Sequence, residues 1–90
     1  MAVYLVTYDL NKEVRRPPIV QAVKKVSGDN WAKLSESSYA IYSNASPEQI
    51  YKALRPLLDS NDSLFVVTLD TPWFGQGNKE VINWLSSALQ

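Results

Sequence analysis

The sequence predicts an α+β domain whose elements run strand, helix, strand, strand, helix, strand, with one further helix behind them. Three observations carry this. Apolar, β-branched and aromatic runs stand at 3–9 and 64–69, and apolar residues recur at helical spacing over 19–26 and 50–58. Between the two helical stretches a polar break at 35–37 divides a β-prone stretch in two. Ninety residues make one domain with a single modest core, divided here into a unit of residues 1–70 and a tail of 71–90.

The first strand, Val3 to Asp9, is apolar on both of its alternating faces, as suits the middle of a sheet. One face carries Tyr4, Val6 and Tyr8, and the other carries Val3, Leu5, Thr7 and Asp9. A polar loop, residues 10–16, leads to Pro17 and Pro18, which suit a first helical turn because a proline's missing N–H would have had no partner there. Behind them Ile19, Ala22, Val23 and Val26 share one helix face, with Lys24 and Lys25 expected to point away. Gly28 suits the left-handed residue after the helix end.

Trp31–Leu34 and Ser38–Tyr42 are expected to form a hairpin across Ser35, Glu36 and Ser37. Ser46, Pro47, Glu48 and Gln49 then give a well-marked helix start, with Ser46 as N-cap and Gln49 completing a capping box. Ile50, Ala53, Leu54, Leu57 and Leu58 form the expected buried stripe, and Pro56 predicts a bend or fraying near residues 52–55. After the strand at 64–69 comes a Pro/Gly loop holding Trp73 and Phe74, expected to pack under the tail helix. Asn78 is placed to cap that helix, whose stripe is Val81, Trp84, Leu85 and Ala88.

This order is the one a ferredoxin-like βαββαβ sandwich produces, a four-stranded antiparallel sheet with two helices on one face and here an extra C-terminal helix. Right-handed crossovers place strands one and three side by side at the centre. The face opposite the helices is too apolar for water, since strand one lacks a polar side, and this predicts a homodimer. The last helix is too hydrophobic to hang free, so it covers its own sheet or docks on a partner.

Composition removes whole classes of chemistry. With no cysteine and no histidine, disulfides, thiolate or imidazole zinc sites, and Ser-His-Asp or Cys-His catalysis are all excluded. No apolar run approaches the ~20 residues of a membrane span and the start of the sequence lacks a basic secretory segment, so a cytoplasmic protein is expected. The formal net charge is zero, which argues against a broad positive field for coating nucleic acid. The charge is uneven, however: Lys12, Arg15, Arg16, Lys24, Lys25 and Lys33 fall in the first 36 positions, giving either a local basic patch or a solvated face. No phosphate-binding glycine loop is present, and the strand at 38–42 lacks the signature of RNA-recognition sheets.

The run Tyr4-Leu5-Val6-Thr7-Tyr8-Asp9-Leu10, followed by Arg15-Arg16 and an amphipathic helix, resembles the start of the smaller of the two universal CRISPR spacer-acquisition proteins. Relatives of that family include virulence-associated endoribonucleases and SinR-like proteins. Residues 34–41 are similar to its second-to-third-strand region. The resemblance implies a ferredoxin-like protomer, a homodimer built by sheet faces, association with nucleic acid and, in some members, magnesium-dependent cleavage of RNA or DNA.

In those members the strand-one carboxylate meets its twin across the dimer axis, where the pair can hold a divalent ion; Asp9 is the matching position, and the resemblance implies for it the roles of metal ligand and catalytic residue. Two carboxylates brought together repel unless a cation or proton intervenes, and magnesium takes a few such oxygens plus waters. Arg15 and Arg16 match the basic pair after the loop and, with Lys12, are the candidates for phosphate contacts. The tail departs from the family pattern, in which a further strand pairs onto the other subunit.

Two functions are therefore expected. The first is a dimeric nucleic-acid-associated protein, adaptor or magnesium-dependent endonuclease, using Asp9; the second is a non-catalytic homodimeric interaction or regulatory module that retains the fold. In the second, Asp9 is a strand-end cap or turn carboxylate, the arginines are a solvated loop pair, and the strand tyrosines pack a core or an interface. The protein partner, if any, is unspecified by the sequence.

Overall fold

A computed structural model describes residues 2–12, 14 and 16–90. Eight residues, Ala2–Asp9, form β1, and α1 (Arg16–Val26) follows the loop. Next come β2 (Trp31–Ser35), β3 (Ser38–Ser43), α2 (Pro47–Leu54), β4 (Ser63–Leu69) and α3 (Lys79–Ala88). The sheet order is β2-β3-β1-β4 and every pairing is antiparallel. An α+β chain with this sheet and three helices is compatible with a ferredoxin-like fold, and β1 and β3 take the central positions expected of them.

Register fixes which side chains share a face. Opposite β1, Leu5 pairs with Ala40 and Val67, and Thr7 pairs with Ser38 and Phe65. The Tyr4, Val6, Tyr8 face of β1 meets Ile19 and Val23 of α1 and Ile50 and Leu54 of α2, joined by Tyr39, Ile41 and Leu64. Both helices thus bury their stripes on one side of the sheet. Burying each such aliphatic side chain removes apolar area from water and contributes about 1.5–3 kcal/mol. The two tyrosines reach past this core to polar rims, with the Tyr4 hydroxyl donating to the Ala45 carbonyl at 2.8 Å and that of Tyr8 to the Glu36 carbonyl at 3.1 Å. Their apolar rings and polar tips are thus both satisfied.

Local signals set the helix ends. Ser46 accepts from the Gln49 N–H at 3.1 Å while the Gln49 side chain accepts from the Ser46 N–H at 2.8 Å, which completes the capping box. Replacing Ser46 with alanine is expected to lower stability by about 1 kcal/mol, whereas glycine there loses only a few tenths. Thermal melts followed by circular dichroism would separate the two by about 3–6 °C. At the end of α1, Gly28 takes φ +60° and Asp29 follows at φ 66°, while the Asp29 and Gly28 N–H groups close on the Lys24 and Lys25 carbonyls. That pair of bonds is the Schellman closure. Pro56 has the effect expected of it, since α2 stops at Leu54 and tightens into a 3-10 turn at Arg55–Leu57. Ala53, inside α2, is exposed rather than part of the buried stripe, and Leu57 and Leu58, beyond the helix end, are half-buried.

The tail helix covers its own protomer. Leu85 and Leu89 of α3 pack on Val3 and Ala40, with Tyr42, Leu69, Trp73, Val81 and Trp84 around them. Asn78 accepts from the Glu80 N–H at 2.8 Å as the N-cap, and the Trp84 indole N–H donates to the Asn30 side chain at 3.0 Å. Trp73 is half-buried beside this helix as expected, but Phe74 is fully exposed. The preceding β-strand ends at Leu69, and the loop lets only one of the two neighbouring aromatics turn inward. Among the described residues, no helix is long and apolar enough to cross a membrane.

Candidate functional site

Asp9 ends β1 opposite Ser63 of β4 and is exposed. Strand alternation puts it on the sheet face away from α1 and α2, in the row of Val3, Leu5 and Thr7. The rest of that row is divided. Val3, nearest α3, is buried; Leu5 and Thr7 are half-buried; and on the neighbouring edge strand Phe65 is 63% and Val67 is 48% exposed. Thus α3 covers β3 and the Val3–Leu69 end of β1 and β4, and the stretch of Leu5, Thr7, Phe65 and Val67 stays open, with Asp9 at its end. Thr7 and Ser38 hydroxyls lie 3.0 Å apart, a side-chain hydrogen bond across the β1–β3 pair on this side.

The turn beneath Asp9 is tied down by a different carboxylate. Asp62 accepts from the Asn11 N–H at 2.6 Å and from the Asp59 N–H at 2.7 Å, so it clamps the β1–α1 loop to the turn before β4. Two charge-assisted bonds to backbone give this residue a structural task that its sequence position did not disclose. Among the described residues, no group of three or more Asp, Glu, His or Cys could hold a metal ion within one protomer.

The basic candidates separate. Arg15 lies outside the described residues, and Lys12 is exposed in the loop after β1. Arg16 opens α1 on the helix side of the sheet, where its guanidinium stands 3.7 Å from Glu36 Oε2. Asp9 and Arg16 therefore occupy the same end of the sheet on opposite sides. The β2–β3 turn brings further charge to Arg16: Lys33 Nζ reaches Glu36 Oε1 at 3.0 Å. The hydrogen bond from Lys33, then its charge, and further off the Arg16 guanidinium, hold the Glu36 carboxyl below the usual glutamate range.

Lys24, expected to point away from the apolar helix face, is half-buried, with its ammonium 4.4 Å from the centre of the Trp31 ring. Trp31 in turn leans on Tyr39 at 5.6 Å and 59°. Arg16, Lys24 and Lys33 thus line one open groove with Glu36, over Val20 and Tyr39. Lys24, Lys33 and Glu36 were not singled out as site residues by their sequence, and the basic bias of the first 36 positions is the signal that pointed toward them.

No protein family matches the chain, and no curated protein does. Among solved structures, the fold is similar to the crystal structure of the hypothetical protein TT1823 from Thermus thermophilus. The TM-score is 0.70 at 22% identity, over 86% of this chain and 92% of that one. At that identity the likeness speaks for the fold.

Proposed function

We propose that the chain is a ferredoxin-like protomer of a homodimer that associates with nucleic acid, as an adaptor or a magnesium-dependent endonuclease, with Asp9 at the dimer axis. The observation that carries this is the exposed Asp9 at the end of an open apolar strip formed by Leu5, Phe65 and Val67. Large open apolar strips are commonly covered, and a twofold axis that runs along this one and passes Asp9 would set it beside the partner's Asp9. Among the described residues no three carboxylates gather within one protomer, and a second copy would bring a second Asp9 to the site. An exposed carboxylate is a fitting donor for magnesium, which keeps several waters and takes phosphate oxygens. When bound, the ion would supply Lewis acidity toward a phosphoryl oxygen. Asp9 itself holds the charge, and Lys12 of the adjoining loop meets the phosphate backbone.

The test joins association to cleavage. Light scattering should give a dimer that magnesium tightens and chelation loosens, because the ion relieves carboxylate repulsion. Asp9→Asn should dimerise regardless of magnesium and lose any magnesium-dependent cleavage of RNA or DNA. A monomer, or a dimer indifferent to both the ion and the substitution, would remove Asp9 from the axis.

A second reading, a non-catalytic homodimeric interaction module, draws on the separation of Arg16 from Asp9. With Arg16 held by Glu36 on the other side of the sheet, the pair does not form one catalytic constellation. Wild type and Asp9→Asn that dimerise yet neither cleave nor bind RNA or DNA at low salt would favour this reading.

A further inference from the structure

Among the described residues, the groove between α1 and the β2–β3 hairpin gathers three cations and one carboxylate, in a chain whose formal net charge is zero. Arg16, Lys24 and Lys33 come from two elements, so the cluster is made by the fold and not by a run in the sequence. Its volume is about 520 Å³ and it is open along its length, which suits a strand passing through rather than a small molecule enclosed. From Arg16 to Lys24 the helix rises about 12 Å. That length spans about three steps of a nucleic-acid strand at 3.4 Å of axial rise.

The aromatic residues at the groove are already engaged. Lys24 sits over Trp31, and Tyr39 is buried against it, so neither offers a free ring for a base to stack on. The chemistry presented is cationic and directed at phosphate. Glu36 occupies it now, at 3.0 Å from Lys33 and 3.7 Å from Arg16, on a turn whose side chain is 70% exposed. An exposed pair of this kind is weak and exchangeable.

We propose that this groove receives the sugar-phosphate backbone of a nucleic acid without reading its sequence, and that Glu36 is a built-in competitor which the incoming phosphate displaces. The inference rests on the nucleic-acid association proposed above and supplies its surface, on the opposite side of the sheet from Asp9.

Fluorescence anisotropy of labelled single-stranded RNA and duplex DNA, each of about 20 nucleotides or base pairs, over about 50–200 mM salt, tests it. Lys33 and Glu36 are both exposed, so their substitution leaves the fold in place. Glu36→Gln should raise affinity about fivefold or more at low salt, and Lys33→Gln should lower it by a similar factor and flatten the salt slope by about 1. Lys52→Gln, on α2, should change little. Nucleic-acid binding that neither Glu36→Gln nor Lys33→Gln moves beyond Lys52→Gln overturns the groove and leaves the proposed function standing. Absence of binding at about 50 mM salt, by wild type and Glu36→Gln alike, overturns the groove and the nucleic-acid association together, while the magnesium-linked dimer is read separately by light scattering. Anionic phosphatidylserine vesicles or polyglutamate bound with the same dependence, in place of nucleic acid, would also overturn it.

Discussion

Leu54→Ala is expected to lower the stability of the domain by about 3–5 kcal/mol, a large share of the roughly 5–15 kcal/mol that holds a small domain folded. Leu54 closes α2 and is fully buried in the core cluster that α2 shares with α1 and the sheet, which includes Ile19, Val6, Ile41 and Leu64. Two contributions add: the lost transfer free energy of the removed carbons, and the cavity left among neighbours that cannot close in. The neighbours are held on three sides, because β1 is the central strand and α1 is anchored by its own buried pair, Ile19 and Val23. The melting temperature should fall by on the order of 20 °C, and the urea midpoint should drop with little change in slope. Lys52→Ala, two residues earlier, touches only an exposed pair with Glu48 at 3.6 Å and should shift stability by less than about 0.5 kcal/mol. Equal effects of the two substitutions would mean that α2 does not seal the core.

Phe65→Asp is expected to weaken self-association by about a hundredfold or more while leaving the fold intact. Phe65 sits in the middle of edge strand β4, opposite Thr7, on the stretch of the sheet that α3 leaves open. In a symmetric interface each substitution occurs twice, so two carboxylates would be buried without partners across the axis. About 3 kcal/mol of lost association corresponds to that factor. Far-UV circular dichroism and the thermal midpoint of the dilute protomer should barely move, since Phe65 is 63% exposed in the folded chain. Phe74→Asp serves as the comparison, because Phe74 is wholly exposed but lies in the loop beyond β4 and should leave association unchanged. A dimer that survives Phe65→Asp at low concentration would place the interface elsewhere.

The two substitutions test different links of one chain of cause. Leu54 reports on whether the helices and sheet form one core, and Phe65 on what the remaining sheet surface is for. The cations Arg16, Lys24 and Lys33 of the groove stand apart from both, since they belong to neither the core nor the open strip.

Much of this architecture follows from short-range rules that the residues carry with them. The capping box at Ser46, the left-handed Gly28, the helix stop ahead of Pro56 and the Asn78 cap depend on neighbours within a few positions, and each forms where its residues stand. The alternating faces of β1 depend on nothing more than the strand period, and Tyr4, Val6 and Tyr8 are indeed the core face. What tertiary structure decided is how distant segments meet. Packing on Val3 and Ala40 chose the protomer's own sheet for α3 and left Phe65 and Val67 open, a choice between equally apolar surfaces that no local period encodes. The β2–β3 turn carried Glu36 to Arg16 across 20 positions, and the hairpin brought Trp31 under Lys24, so charges that look solvated in sequence became one groove. Periodicity assigns a side chain to a face, but only the closed sheet determines which other charges share it.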